Sequence, residues 1–302
     1  METANTEQTH SLSPVLTVAV TLSFISAVAV LIVIYWLKIQ NKLTIYLNFL
    51  FLTSALFSGV SLIVVILPKG VPNESVCSVL TFLRMHLSNL TIYWTTSFAF
   101  SLYILVVREE DPLDYRNRHL IIGNALSLLV SVPPLFYNGY GVTNYAICGF
   151  SDKLSITGSS VTRIYTQYAS MAISFVVVGA YFRGIVRYLQ SFEDNERYRV
   201  QIRSTAKQFL PYQLIIFVCG FPGFVAEIVR MSTGKELELL QEVVFLLFRL
   251  NGFFNALVYV FTKSVRQAVV EKIKGGESIQ EASLSMSLQK TVTETEEQHF
   301  LI

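Results

Sequence analysis

Two arginines stand inside otherwise apolar runs, Arg84 in VLTFLRMHLSNL and Arg249 in LLFRLNGFFNALVYVF. A guanidinium is a planar fork of donors that stays charged. It holds a phosphate or carboxylate through paired, charge-assisted hydrogen bonds. The nearest acids in comparable runs are Glu227 and, second, Glu242. Two readings stay open: a cationic floor for an anionic ligand lined by Arg84, Arg249 and Glu227, or structural ion pairs. Two further groups suit a moving part. Asn255 precedes Tyr259 by one helical turn, so the two share a face. In CGFPGF, Pro222 removes a backbone hydrogen bond between Gly220 and Gly223, and a kink is expected there. No metal-ligand cluster, paired carboxylates or nucleophile–base set appears in these runs, so no enzyme and no cofactor is expected.

The elements that must position these residues are read from composition. The 302 residues are 52% hydrophobic and only 15% charged, against roughly 25% charge in soluble domains. Seven apolar stretches, at 14–37, 43–67, 77–107, 119–137, 163–189, 206–230 and 239–262, each approach or exceed the length needed to cross a bilayer. Lipid offers no partner to a bare backbone group, so each must be helical. The expected fold is an all-α integral membrane bundle of seven transmembrane helices, over residues 14–262, with a short amphipathic eighth helix at 263–274. The latter places Val265, Ala268, Val269 and Ile273 at helical spacing between Lys263, Arg266 and Lys272, as a helix lying on a membrane surface does. Residues 1–13 form a tail, and 275–302 form a Ser/Thr-rich tail too polar to fold. Basic residues do not form the stripe of a nucleic-acid binder.

Fifteen lysines and arginines fall in the loops of one face, against Lys69, Lys153 and Lys235 on the other. By the positive-inside rule the N-terminus is extracellular and the C-terminus cytoplasmic. Cys77 opens the third stretch on the outer side, and Cys148 lies in the outer loop after the fourth. Both face an oxidising compartment, and a Cys77–Cys148 disulfide is expected. Cys219 is left as a small buried side chain. The sequon at Asn73 falls in an outer loop, where glycosylation is expected, whereas Asn89-Leu90-Thr91 lies within a span. His86 is read as a packing residue.

Seven spans with an outer N-terminus, Cys77 atop the third span and Cys148 beyond it, Pro222, Asn255 four before Tyr259 and a basic eighth helix together resemble a G-protein-coupled receptor. Ala256 stands where the common seventh-span motif has proline. The run NLTIYWTTSFAFSLYILVVREEDP resembles the third span of the cyclic-AMP receptors of slime moulds and their relatives. Tyr93-Trp94-Thr95, Leu102-Tyr103 and the exit from Arg108-Glu109 to Pro112 carry that likeness. On the ligand side, Leu80 stands where the family often has glutamine, and Cys148 lacks a flanking tryptophan. The resemblance therefore implies a receptor and leaves the ligand open between cyclic AMP and another anion.

The expected function is a plasma-membrane receptor that binds a small extracellular ligand and activates a heterotrimeric G protein. Arg249 would line the ligand cavity, and Pro222, Asn255 and Tyr259 would belong to the switch. Arg108, Arg183, Arg187, Arg203 and Lys207 would meet the G protein. A small-solute transporter or channel is the alternative, against which the missing internal repeat speaks. A light-driven retinal protein needs a lysine inside the seventh span, and Arg249 occupies that depth.

Overall fold

The computed structural model describes residues 3–37, 42–66, 73–142, 148–151, 154–190, 196–234 and 238–273. These residues are overwhelmingly helical. In chain order the helices are α1 (Thr3–Leu37), α2 (Thr44–Ile66), α3 (Glu74–Tyr103), α4 (Arg116–Ser131), the single turn α5 (Pro133–Phe136), α6 (Ile156–Arg163), α7 (Ala169–Gln190), α8 (Glu196–Thr233), α9 (Glu238–Arg249), α10 (Asn251–Phe261) and α11 (Lys263–Ile273). A π turn, Ile164–Tyr168, joins α6 to α7 as one rod. A hairpin of β1 (Tyr140–Val142) and β2 (Cys148–Phe150) pairs antiparallel between α5 and α6.

Among the described residues, six helical rods are long and apolar enough to cross a membrane, and α9 with α10 makes a seventh candidate bent by 47°. The chain is a multi-pass membrane protein. Its side-chain distribution says the same. On α4 the buried positions are Gly123, Ser127 and Ser131, while Ile121 and Leu129 face outward. Small and hydroxyl residues inside with branched apolar residues outside is the packing of helices in lipid, where close backbone approach replaces the hydrophobic drive. The helix of α1 reaches back to Thr3, across residues expected as a tail, and its membrane-length portion begins at Pro14. The expected tail 275–302 lies outside the described residues.

The α3 rod is the axis. Asn73 caps it by accepting from the Ser75 amide at 3.0 Å, and Glu74 meets the positive end of the helix dipole. Its inward face carries Cys77, Thr81, Arg84, Ser88, Thr91 and Thr95, spaced alternately by four and three. Deeper along the rod, Trp94 is 1% exposed and stacks on Phe49 of α2 at 4.5 Å between ring centroids. Asn89, read above as a sequon inside a span, is a knot between three rods. Its amide donates to the Thr166 carbonyl at 2.9 Å and to Ser131 Oγ at 3.3 Å, and it accepts from Ser170 at 2.7 Å. The π turn is the local widening that presents the Thr166 carbonyl sideways.

α8 runs unbroken through both Pro211 and Pro222. The break in the bundle falls instead at Leu250, between α9 and α10. Just past it, a Cβ on Gly252 would collide with Ser23 and Ser54, so glycine there lets α10 lie directly on α1 and α2.

Candidate functional site

At the end of the bundle that carries the hairpin, Cys77 and Cys148 form the expected disulfide, which straps β2 to the start of α3. Tyr140 of β1 anchors the hairpin from the other side. Its carbonyl accepts from Ser78 at 2.8 Å and its hydroxyl donates to the Ser131 carbonyl at 3.1 Å. The hairpin is thus a fixed roof over the bundle interior.

Beneath this roof lie the two arginines singled out from sequence. Arg84 is 8% exposed, and among the described residues its guanidinium makes only a long 3.5 Å contact with the Cys148 carbonyl. Arg249, in the last turn of α9, has its guanidinium 5.9 Å from the Phe57 ring centroid, and its Nη1 has no hydrogen-bond partner among the described residues. The two charges are near enough to act on one another. Among the described residues, no carboxylate pairs with either.

Glu227 is buried, but its partners differ from those expected. Its Oε1 accepts from Arg163 Nη1 at 2.8 Å, and its Oε2 lies 3.8 Å from Arg230 on the next turn of the same helix. Glu227 is thus ion-paired, but with neither Arg84 nor Arg249; the other expected partner, Glu242, has its side chain outside the described residues. The physical reason is rotation about α8: position 227 faces the α6 end of its neighbouring rod, so the acid meets Arg163 first. Arg163 also sits 5.5 Å from the Phe150 ring of the roof. The charge of Arg84 reaches that of Arg163 as well. Four guanidiniums and one buried carboxylate therefore share this end among the described side chains, with Glu74 exposed above them. Buried like charges of this kind are costly until an anion joins them.

One and two turns below Arg84, Ser88 and Thr91 line a small cavity of about 10 Å³ together with Ser54, Asn251, Phe248 and the free Cys219, which is about the size of one water. Below it, Asn255 and Tyr259 share a buried face. Asn255 donates to Asn251 at 3.2 Å, while its Oδ1 and the Tyr259 hydroxyl have no protein partner. A stripe of polar groups thus runs from the cations toward the opposite end.

At that opposite end, α3 passes into a π turn (Ile104–Arg108) and stops at Glu109, whose φ of 56° reverses the chain. The three consecutive acids that begin there are held. Glu109 accepts from Tyr188 at 2.7 Å, Glu110 from Tyr115 at 2.6 Å, and Asp111 pairs with Lys42 at 2.7 Å. Tyr46 of α2 donates to the Pro112 carbonyl at 2.6 Å. Partial burial pushes the Asp111 carboxyl up, but hydrogen bonds from Lys42 and the Leu113 amide outweigh it and hold the group below the usual carboxylate range. Arg108, Arg183 and Arg187 are exposed around this clamp. Arg203 and Lys207 fall on α8, with side chains outside the described residues.

The remaining expectations find definite places. Asn73 is exposed at the disulfide end, and His86 is satisfied by Ser127, whose hydroxyl lies 2.9 Å from its Nδ1. Of the residues that carried the resemblance, Tyr93 shares His119 Nδ1 with Ser97, at 2.9 and 3.1 Å, and Leu102 is buried. The expected site residues do not include Arg163 and Arg230, which stand at the ends of apolar stretches. The signal was there: Glu227 and Arg230 are three apart on one helix, a spacing at which side chains meet. No protein-family model matches the chain, and no curated protein matches it.

Proposed function

We propose that the chain is a seven-helix receptor of the cyclic-AMP-receptor-like kind, which takes a small anion at its extracellular end and activates a heterotrimeric G protein at its cytoplasmic end. The observation that carries the reading is the pair under the strapped hairpin, Arg84 buried and Arg249 half-buried with its Nη1 shielded, with interacting charges and no carboxylate on either among the described residues. An anion in the gap would be held by two forks and would relieve their repulsion. The excess of lysine and arginine in the loops of the Glu109 end makes that end cytoplasmic, with the disulfide end outside in the plasma membrane. There α11 lies on the membrane surface as the eighth helix, burying Val265 and Ala268.

Signal passes along the polar stripe. The ligand stabilises one of two bundle arrangements, and the bend at Leu250, with Asn255 and Tyr259 just beyond it, is the element biased. Pro222 gives α8 compliance of its own. Arg108, Arg183, Arg187, Arg203 and Lys207 form the G-protein contact.

The test is G-protein dissociation in cells displaying the protein, with extracellular cyclic AMP, for wild type and Arg84→Gln. A wild-type response lost in the variant is expected. Silence in surface-displayed wild type toward cyclic AMP and a panel of other organic anions overturns the receptor reading. Uptake of labelled anion into vesicles without G protein would install a transporter in its place.

A further inference from the structure

Glu227 is the one buried acid among the described side chains at the cationic end, and it is placed between two cations on different rods. Toward α6 it makes a short contact, 2.8 Å to Arg163. Toward its own helix it has a looser one, 3.8 Å to Arg230, with Oε2 accepting no hydrogen bond. Arg163 likewise has spare capacity, since its Nε has no partner. Its guanidinium lies over Phe150 in the roof, and its charge is felt at Arg84. The hydroxyl of Tyr168, one turn along the same rod, is close enough for Glu227 and Arg163 both to act on it. A Cβ on Gly223 would strike that hydroxyl, so glycine after Pro222 is what lets α8 come this close to Tyr168.

We infer that Arg163 is a third ligand-binding cation, and that a phosphate-class oxyanion seated against Arg84 and Arg249 takes Arg163 from Glu227, leaving the acid to Arg230. This rests on the anion site proposed above. The exchange leaves no charge stranded. Before it, Glu227 bridges α6 to α8. After it, Glu227 is paired within α8 alone and the ion pair tying the two rods is gone. An oxyanion of the phosphate class supplies what the site lacks, namely several acceptor oxygens and more than one negative charge against three guanidinium forks. A carboxyl-for-phosphate competition on one arginine also makes a two-state element of the kind that converts occupancy into helix release. Cys219, two turns before Glu227 on α8 and otherwise buried beside the cavity, reports that release. The other two cysteines are bonded to each other.

The experiment uses purified full-length protein in detergent, inorganic phosphate as probe, and chloride at equal ionic strength as control. Melting is followed by tryptophan fluorescence, and maleimide labelling of Cys219 is timed below the melting range. In wild type, phosphate raises the Tm and speeds labelling. Glu227→Gln lowers the half-saturating phosphate about tenfold, within the usual range for coupled sites, and labels fast without phosphate. Arg163→Gln raises it by a similar factor, and Arg163→Lys, which keeps the charge, recovers part of the loss. If phosphate stabilises wild type and Glu227→Gln leaves the half-saturating concentration unchanged or higher, the anion site stands and the exchange is overturned. If Arg163→Gln binds phosphate like wild type, Arg163 is no ligand and the proposal falls. If phosphate stabilises no variant, the anion site fails and this inference with it.

Discussion

The two ends of the bundle treat charge in opposite ways. At the Glu109 end, the three consecutive acids Glu109, Glu110 and Asp111 have short partners: Tyr188, Tyr115 and Lys42. At the disulfide end, Arg84 is buried and Arg249 half-buried with no carboxylate on either among the described residues, and the buried acid there is paired with Arg163 and Arg230. A fold spends stability on unpaired buried charge only where something else is to complete it. The satisfied end has the character of a structural clamp, and the unsatisfied end that of a site.

Breaking the roof tests the contrast most severely. Cys148→Ser opens a loop spanning 71 residues, and loss of such a native bond costs about 2–5 kcal/mol. The variant also frees the carbonyl that Arg84 contacts. Expected is a lower Tm by tryptophan fluorescence and a loss of surface display. Undiminished Tm would mean the hairpin is held by Tyr140 alone and that the strap has no structural share.

Arg84→Met separates site from scaffold more cleanly. Replacing a buried, unpaired charge with an apolar side chain of similar length is expected to stabilise the anion-free protein, by about 1–4 kcal/mol on the precedent of buried charges replaced by packed apolar residues. The same change abolishes the anion response. A drop in Tm instead would show that Arg84 already earns its place through the Cys148 carbonyl. The matching cut at the other end, Tyr188→Phe, removes one exposed hydrogen bond to Glu109 and should cost about 0.5–1.5 kcal/mol without touching anion affinity. The two variants should thus move Tm in opposite directions.

How much of this was legible without coordinates follows from what each feature costs. The spans were legible because a bilayer fixes a minimum apolar length. The disulfide was legible because two of three cysteines fell on one side. Arg84 and Arg249 stood out because charge in an apolar run is rare and dear. The partner of Glu227 was not legible, because rotation of one helix against another decides it and hydropathy carries no rotation. The bend at Leu250 was hidden for a related reason. Asn251-Gly252 beside Leu250 is a weak helix-forming pair, but an isolated pair inside an apolar run does not announce a bend, and what distinguishes the spot is Gly252 lying against Ser23 and Ser54 of other helices. Pro222, the visible breaker, sits in an unbroken helix. Asn89 shows the same limit, since a sequon pattern hid an inter-rod knot whose purpose appears only with the Thr166 carbonyl beside it.

The smallest effect concerns the clamp's one ion pair. Asp111 and Lys42 are each about a third exposed, at 35% and 33%, so solvent screens them and their worth is modest. Its sign is nonetheless fixed. The Asp111 carboxyl is held below its ordinary value, since the Lys42 and Leu113 hydrogen bonds outweigh partial burial. Folding therefore gains from this group at any pH above the ordinary carboxylate value of about 4, where the unfolded chain is already ionised. The gain fades as pH falls through the depressed value, where the folded carboxylate takes up its proton. Lys42→Met removes the partner that lowers it. The Tm of wild type should exceed that of Lys42→Met at neutral pH, and the two curves should converge as pH drops below about 4. Parallel curves down to pH 3 would assign the clamp to the tyrosines and leave this pair as a bystander. The same titration should leave the phosphate response of the disulfide end untouched at neutral pH in both proteins, because Asp111 stands at the far end of α3 from Arg84.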